Sequence, residues 1–236
     1  MSITFRTILA VVNRLPRFSG ARRAVWAYVR SAPGTYVWLG ILFFTTVALH
    51  HMSPEFEREF LRQRSTNLHE LSRHPVRVLV ASAMWIDGGY WLPYAVLYSV
   101  FHAQVERWLG TLRWLVVCGA AHVLATLVSE GALLVAIRDG IAPASAVNTL
   151  DVGVSYALAG VAAVLGYRIR APWRYAYLAV LLGFFAVPLA AGPTFTDFGH
   201  FVAVLVGLGC RPLVAGRAGV RNPKETGGVS PDNVRP

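Results

Sequence analysis

The chain has 236 residues, of which 55% are hydrophobic and 14% are charged, and its mean hydropathy is +0.49. About a quarter of the residues of an average soluble domain are charged, so this composition excludes an ordinary soluble enzyme. The formal net charge is +10, but the cations stand between apolar runs and form no basic surface with interleaved aromatic side chains, which excludes a nucleic-acid partner. The composition predicts an all-α, polytopic membrane protein whose surroundings are the lipid bilayer.

The first 33 residues form a basic N-terminal segment with six arginines and no acidic residue. Their apolar run is too short to cross a bilayer, and no signal-peptide cleavage site follows it. We expect residues 1–33 to be cytoplasmic. They form either an amphipathic stretch on the membrane surface, with apolar side chains such as Phe5, Ile8, Leu9 and Val12 turned towards the lipid, or a disordered tail.

Six apolar segments follow, separated by joints that contain charged residues, glycine or proline. Together they predict a membrane domain over residues 34–215, with spans at about 34–50, 78–105, 112–137, 147–167, 174–192 and 197–215. Asp87, Gly88 and Gly89 interrupt the second segment, so we expect its helix proper from Tyr90 onward. The preceding residues, 51–87, then form a long loop with short helical pieces, and such a loop is a functional hint.

The distribution of charge predicts the orientation, because Lys and Arg accumulate in cytoplasmic loops. The N-terminal segment, the joints at 106–113 and 168–174 and the C-terminal tail hold 16 of the 22 cations, whereas the opposite joints hold nine of the 12 acidic residues. Both termini are therefore predicted to be cytoplasmic in a multi-pass protein of the cell membrane. Residues 216–236 are expected to form a flexible tail.

Two polar residues inside the predicted spans are candidates for chemistry, because polar groups in a membrane are costly. Ser155 in span four and His200 in span six are predicted at similar depths on the outer side. Each begins a stripe of small side chains that would let two helices pack closely, namely Ala159, Ala162 and Gly166 in span four and Ala203 and Gly207 in span six. Brought together, the hydroxyl and the imidazole would act as nucleophile and general base. The alternative is purely structural, with the serine bonded to its own backbone and the histidine bonded across a helix interface.

This pattern resembles the rhomboid family of intramembrane serine proteases over about residues 34–215. The resemblance lies in the six spans, the long first loop, Glu106-x-x-x-Gly110, Gly153-x-Ser155 and His200-x-x-Ala203-x-x-x-Gly207. It implies a six-transmembrane-helix rhomboid-like bundle with Ser155 as nucleophile and His200 as base. The implied substrate is a transmembrane segment of another membrane protein, and neither a cofactor nor a metal is implied.

The sequence departs from the family's pattern at several positions. Tyr156 replaces the second glycine of the serine motif, and Ala203 replaces the first glycine after the histidine. In span two, tyrosines stand where the family has a His and an Asn that stabilise the oxyanion. The candidates for that supporting role are Tyr90, Tyr94, Asn148 and Gly153.

A second alignment of the serine motif is also open. The run Tyr156-Ala157-Leu158-x-Gly160 resembles the one that follows the catalytic serine in many rhomboids, and it would place Val152 at the nucleophile position. The sequence therefore predicts either a Ser155–His200 protease or a catalytically inactive rhomboid-like protein that binds client transmembrane helices. A small transporter is a third possibility, which the lack of paired broken helices and repeated halves disfavours.

The other buried candidates are interpreted as structural. Cys118 and Cys210 are expected to be free thiols packed as small hydrophobic side chains. His122 is expected to be a buried histidine that bonds to Ser129 or to a backbone carbonyl rather than a metal ligand.

Three acidic residues near the ends of spans are also expected to be structural. Glu106 is predicted to hold a tight turn together with Arg107 and Arg113. Asp151 and Asp197 are predicted to cap helix starts, where a carboxylate interacts favourably with the helix dipole.

Overall fold

The computed structural model describes residues 16–215. This range covers the predicted membrane domain and the second half of the predicted N-terminal segment. The tail at 216–236 and the apolar positions Phe5, Ile8, Leu9 and Val12 lie outside the described residues. The described part of the chain consists of helices and connecting turns without a β-strand, which confirms the all-α class.

The described helices are numbered here in chain order. They are α1 (Pro16–Arg30), α2 (Pro33–His50), α3 (Pro54–Arg62), α4 (Leu68–Arg73), α5 (Pro75–Ser82), α6 (Trp91–Leu97), α7 (Ala103–Leu109), α8 (Thr111–Arg138), α9 (Val154–Leu165), α10 (Trp173–Ala190), α11 (Phe195–Gly209) and α12 (Arg211–Val214). A π-helical turn, Tyr98–His102, joins α6 to α7 without a break, and 3₁₀ turns occupy Ala144–Asn148 and Gly166–Arg168.

Six helical segments occupy the positions of the six predicted spans. By length and composition, α2, α8 and α10 are long and apolar enough to cross a membrane. Two shorter apolar helices, Val154–Arg168 and α11, stand at spans four and six. The continuous helix formed by α6, the π-helical turn and α7 stands at span two. The chain is therefore a polytopic helical bundle, as predicted.

The residues before span two behave as the sequence predicts. The helix begins at Trp91, one residue after the expected start, and the separate short helices α3, α4 and α5 precede it. Gly88 and Gly89 between them have φ angles of 79° and 68°. These left-handed conformations favour glycine because it has no Cβ, so the turn cannot continue the helix.

Span four is shorter than predicted. Residues Ala144–Asn148 form a separate 3₁₀ turn, and α9 begins only at Val154, so Ser155 is the second residue of its helix. Span six likewise ends early, at Gly209, before the short helix α12. A hydropathy pattern places these ends poorly, because apolar residues such as Val147 and Leu150 before α9, and Leu213 and Val214 after α11, extend the apolar segments beyond the helices.

The helices α8, α9 and α11 form the centre of the bundle. Nine of the 12 residues of α9 are buried, so protein surrounds this helix on nearly every side. A 12-residue helix is about 18 Å long, which is less than the thickness of about 30 Å of a bilayer core. This enclosure explains how a short helix is accommodated, since its ends are covered by protein rather than lipid.

The contact between α9 and α11 depends on small residues. A Cβ added at Gly207 would meet the Ala163 side chain and the Gly160 backbone, and a Cβ at Gly199 would meet the Tyr156 ring. The facing rows are Tyr156, Gly160 and Ala163 on α9 and Gly199, Ala203 and Gly207 on α11. Such rows let two backbones approach closely.

This contact uses a different face of α9 from the one that the sequence predicts. Ala203 and Gly207 of α11 lie in it, as expected. In contrast, Ala162 and Gly166 face α10, where the Tyr177 hydroxyl donates to the Ala162 carbonyl at 2.7 Å and a Cβ at Gly166 would meet Leu178. The reason is that the row facing α11 begins at Tyr156, one residue after Ser155, and successive helical residues differ by about 100° in direction.

The long loop is tied to the start of α9 through Asp151. The Asp151 amide donates to the Ser65 hydroxyl at 2.7 Å, and the Thr66 amide and hydroxyl donate to the Asp151 carbonyl and carboxylate at 3.0 Å each. The sequence predicted that Asp151 caps the start of α9. That prediction is wrong, because Asp151 anchors the loop and no side chain caps this helix. Asp197 does belong to a helix cap, in a capping box with Thr194 at the start of α11.

Glu106 is structural, as predicted, but its partners are not Arg107 and Arg113. Its buried carboxylate accepts hydrogen bonds from the Gly34 and Thr35 amides, from the Thr35 hydroxyl and from the Thr111 hydroxyl, all between 2.7 and 2.8 Å. The carboxylate thus satisfies free amides at the start of α2, a position that also suits a negative charge.

Candidate functional site

A cavity of about 450 Å³ lies between the central helices and the helices at spans two and five. Ser155 and Ala159 of α9 line one side of it, and His200 of α11 lines another. Side chains of α6 and α10, including Tyr94 and Phe185, complete its walls. The structure therefore brings the two residues of the predicted dyad to one cavity.

Ser155 and His200 are half-buried, and no hydrogen bond joins them. Instead, the His200 imidazole lies between two aromatic rings. The Tyr156 ring is edge-on to it, with centroids 5.0 Å apart, and the Phe185 ring is stacked against it at 5.7 Å. A nucleophile and its base need to come within about 3 Å, so the dyad is not assembled in this conformation.

Tyr156 lies closer to His200 than the sequence suggested. Its side chain is fully buried, and its ring fills the space beside Gly199, where a Cβ would lie 2.5 Å from the phenol oxygen. From the sequence, Tyr156 is a departure from the serine motif in one alignment and the first residue of the Tyr156-Ala157-Leu158-x-Gly160 run in the other, and neither places it beside His200. The available signal was Gly199 itself, because a glycine directly before His200 leaves room for a large neighbour.

Of the four residues predicted to support an oxyanion, Tyr94 borders the cavity. The structure places the other three elsewhere. Tyr90 is 74% exposed, and the Asn148 side-chain oxygen accepts a hydrogen bond from Arg62 at 3.3 Å. Gly153 faces away from the cavity, towards α8.

Gly153 is needed for packing against His122. A Cβ on Gly153 would occupy the position of the His122 imidazole. The Nε2 atom of His122 bonds to the Leu79 carbonyl at 2.8 Å and lies 3.3 Å from the Ser82 hydroxyl. The expected bond from His122 to a backbone carbonyl is thus confirmed, whereas Ser129 donates to the Thr126 carbonyl instead.

The cysteines behave as small buried side chains. Cys118 is buried and Cys210 is half-buried, and both are free. The Cys118 sulfur lies 3.8 Å from Nδ1 of His102, and that nitrogen already accepts a hydrogen bond from the Trp114 indole at 3.1 Å. Within residues 16–215, no group of three or more His, Cys, Asp or Glu side chains is arranged to hold a metal ion.

One wall of the cavity is formed by α10, a helix at the outside of the bundle. No residue of α10 is buried, although Pro188 and Phe185 of this helix line the cavity. Pro188 lies inside the helix, where a proline removes one backbone hydrogen bond and weakens the turn before it. The α10 wall of the cavity therefore includes a helical turn with one backbone hydrogen bond fewer.

The polar groups of the cavity are few. Besides Ser155 and His200, the polar residues of the lining are Tyr94 and Asp197. The Asp197 carboxylate accepts hydrogen bonds from the Thr194 amide at 3.0 Å and from the Thr194 hydroxyl at 2.6 Å. It is therefore engaged in the helix cap, and the arrangement contains no Ser–His–Asp triad.

Comparison with known proteins agrees with this architecture. The family described as rhomboid-like protein matches residues 27–220, which is most of the chain and includes every helix that lines the cavity. No curated protein and no solved structure matches the chain significantly. The chain therefore belongs to the family of rhomboid-like proteins.

Proposed function

We propose that this rhomboid-like protein binds a transmembrane helix of another membrane protein at the cavity between α6, α9, α10 and α11. The observation that carries the proposal is the cavity itself, which is lined mainly by apolar side chains and contains a small set of polar groups. Its volume of about 450 Å³ would accept a few side chains of an incoming helix.

The chemistry of the cavity suits a helix that arrives through the lipid. Leu97 of α6 and Phe184 of α10 line the cavity and are also 38% and 70% exposed, so apolar side chains of its walls are accessible from the outside of the bundle. Inside, the Ser155 hydroxyl and the His200 imidazole offer hydrogen bonds to a polar side chain or a free carbonyl of the incoming segment. Polar contacts of this kind stabilise helix association in membranes by about 1 kcal/mol each.

Binding without hydrolysis fits the local geometry best. Ser155 and His200 share no hydrogen bond, and an aromatic ring packs on each side of the imidazole. Three of the four candidate oxyanion donors lie outside the cavity lining. Loss of a single oxyanion donor typically costs a factor of 10²–10³ in rate, so hydrolysis here would be severely impaired.

Hydrolysis remains the second candidate, because Ser155 and His200 line the same cavity. In that reaction His200 would take the proton of the Ser155 hydroxyl while the serine oxygen attacks a peptide carbonyl of the bound segment. His200 would then give the proton to the leaving amine, and water would release the acyl group. The reaction requires a rearrangement that brings the two side chains within about 3 Å.

A photo-crosslinking experiment tests the binding function. A photoreactive amino acid at Leu97, which lines the cavity, is compared with one at Val100, which is 50% exposed and does not line it. In native membranes we expect a crosslink to a membrane protein from Leu97 alone, and we expect Leu158→Trp, which fills the cavity, to abolish it. Equal crosslinking from both positions would contradict the proposal.

Labelling with a fluorophosphonate separates the two functions, because this reagent reacts with activated serines. Wild-type protein is compared with Ser155→Ala and His200→Ala at equal folded amounts. Absence of labelling in the folded wild type supports binding without hydrolysis. Labelling of the wild type that disappears in both variants would establish an activated serine, and the protease function would then replace binding without hydrolysis.

A further inference from the structure

A buried acidic residue lies in the centre of the bundle. Glu130 of α8 is 1% exposed and is eight residues before the end of that helix, which places it about 12 Å along the axis from Arg138. Its neighbours include Asp151, which is 2% exposed, and the backbone of Leu68 in the long loop. Two buried carboxyl groups thus lie against the same part of the long loop, since Asp151 bonds to Thr66, two residues before Leu68.

Several oxygen atoms around these carboxyls lack hydrogen-bond partners within residues 16–215. They are both carboxylate oxygens of Glu130, the hydroxyl of Thr126 and the phenol oxygen of Tyr156. Ser129 and Asp151 are the polar neighbours of that phenol, although no hydrogen bond of good geometry joins them to it. Buried polar atoms are rarely left unsatisfied, so the cluster requires a further component.

Within residues 16–215, no ion pair balances the charge of the two carboxyls. The ion pairs in the described part of the chain are Arg62–Glu59 and Arg77–Glu70, and neither includes Glu130 or Asp151. The ionisable and polar groups that face the cluster are Tyr156 from α9, Thr126 and Ser129 from α8 and Thr66 from the loop. His200 of α11 lies on the other side of this group and contacts the ring of Tyr156.

Two uncompensated carboxylates in such a place would be very unfavourable if both were ionised. Burial disfavours the charged form of each, and the like charge of the neighbour disfavours it further. Burial raises the pKa of Asp151, which lies in the loop before α9, to about 6. A bound proton removes one charge and supplies an O–H donor to the unsatisfied oxygens.

We propose that Glu130 and Asp151 form a proton-binding site that holds at least one proton at neutral pH, and that Tyr156 couples this site to His200. Tyr156 is placed for that coupling, because Asp151 is a polar neighbour of its hydroxyl, which lies beside Gly199, and its ring packs edge-on against His200. A carboxylate accepts a hydrogen bond from the phenol, whereas a carboxylic acid can donate one to it. A change in the protonation of the carboxyl group therefore changes the hydrogen bond that the Tyr156 hydroxyl can make, and with it the position of the ring.

Infrared spectroscopy tests the proton site directly, independently of any client helix. The absorption of protonated carboxyl groups is recorded across a pH titration for wild type, for Glu130→Gln and for Asp139→Asn, a control at an exposed carboxylate. We expect a protonated-carboxyl band at neutral pH in the wild type and in the control, and its loss in Glu130→Gln. Absence of the band from the wild type at neutral pH would overturn the proposal.

A second variant keeps the test decisive if Glu130→Gln fails to fold. Asp151→Asn removes the like charge beside Glu130, so we expect the band to disappear at a pH lower by about one unit than in the wild type. An unshifted band in Asp151→Asn would show that the two carboxyls do not share a site and would overturn the proposal.

The link to His200 has its own test. Tyr156→Phe keeps the ring between Gly199 and His200 and removes the hydroxyl. The rate at which diethyl pyrocarbonate modifies His200 is followed by mass spectrometry against pH. In the wild type we expect the modification rate to change at the pH where the protonated-carboxyl band titrates. In Tyr156→Phe we expect the same band, but no change of the modification rate at that pH. Identical rate profiles in the two proteins would refute the coupling.

Discussion

At the scale of single residues, two glycines decide where large side chains lie. Gly153 leaves room for the His122 imidazole, and Gly199 leaves room for the Tyr156 ring. Gly199 directly precedes His200 in the sequence, and Gly153 is two residues before Ser155. Their role in this structure is packing, because in each case a Cβ would overlap a buried ring.

Gly153→Ala is expected to destabilise the protein. The added Cβ collides with His122, and overpacking of this kind typically costs about 1–3 kcal/mol. Gly183→Ala is the matched control, since no atom lies within 4 Å of the added Cβ there. The free energy of unfolding of both variants is measured in detergent. If His122→Ala does not reduce the cost of Gly153→Ala, the collision is not its cause.

Glu106→Ala is expected to lower the free energy of unfolding by about 3 kcal/mol, because it leaves the amides of Gly34 and Thr35 buried without an acceptor. Glu106→Gln retains one acceptor oxygen and should cost less. Asp139→Asn, at an exposed carboxylate, should change stability by less than about 0.5 kcal/mol. Equal unfolding of Glu106→Ala and Asp139→Asn would contradict this role.

At the scale of helices, the short central helix α9 depends on close contact with α11. The backbone of Gly160 lies where a Cβ at Gly207 would be, so the two helices approach each other without intervening side chains. In a membrane the lipid is as apolar as the side chains, and packing of this kind is a principal source of helix association.

Gly207→Ala therefore tests the contact, with Gly209→Ala in the same helix as its control. The Cβ at position 207 meets Ala163 at 2.9 Å, whereas nothing lies within 4 Å of one at position 209. We expect a lower unfolding temperature for Gly207→Ala only. A similar effect of both substitutions would indicate that helix propensity, rather than the contact, is responsible.

The connection between the loop and α9 makes stability depend on pH. The pKa of Asp151 is raised by burial to about 6, above its unfolded value of about 3.9. Its contribution to stability is therefore complete below about pH 4 and is lost as the pH rises through about 6, by up to about 3 kcal/mol. In Asp151→Asn the fall in stability between about pH 4 and pH 7 should be smaller than in the wild type. An unchanged fall would argue against a buried acid at this position.

At the scale of the whole molecule, arginine is more frequent at one end of the bundle: ten of the 16 arginines of residues 16–215 lie there, and six lie in the loop after α2 and at the end of α8. The joint after α7 and the turns before α10 carry Arg107, Arg113, Arg168, Arg170 and Arg174. The opposite end carries the loop of residues 51–90 with both ion pairs of the described chain. The positive-inside rule then predicts that both termini and the arginine-rich end face the cytoplasm.

Cysteine accessibility tests this orientation in a background with Cys118 and Cys210 replaced by alanine. A membrane-impermeant thiol reagent should label Asp139→Cys in intact cells. It should label Arg170→Cys only after permeabilisation. The reverse pattern would invert the proposed topology.

The sequence by itself determined the helical membrane class, the approximate position of all six helical segments and the family. These follow from apolar segment length, from glycine interruptions such as Gly88 and Gly89, and from spaced motifs such as Glu106-x-x-x-Gly110, all of which are local in the chain. It also identified Ser155 and His200 as polar residues that require an explanation, although their chemistry stays a proposal.

Only the tertiary structure decided which faces and partners these residues have. The start of α9 at Val154 depends on Asp151 bonding to Ser65 and Thr66, some 85 residues away along the chain. The contact of Tyr156 with His200 and the pairing of Glu106 with α2 likewise join distant segments. A hydropathy pattern records which residues avoid water, but in a membrane protein nearly every helix face does so, and close packing between particular residues selects the neighbours.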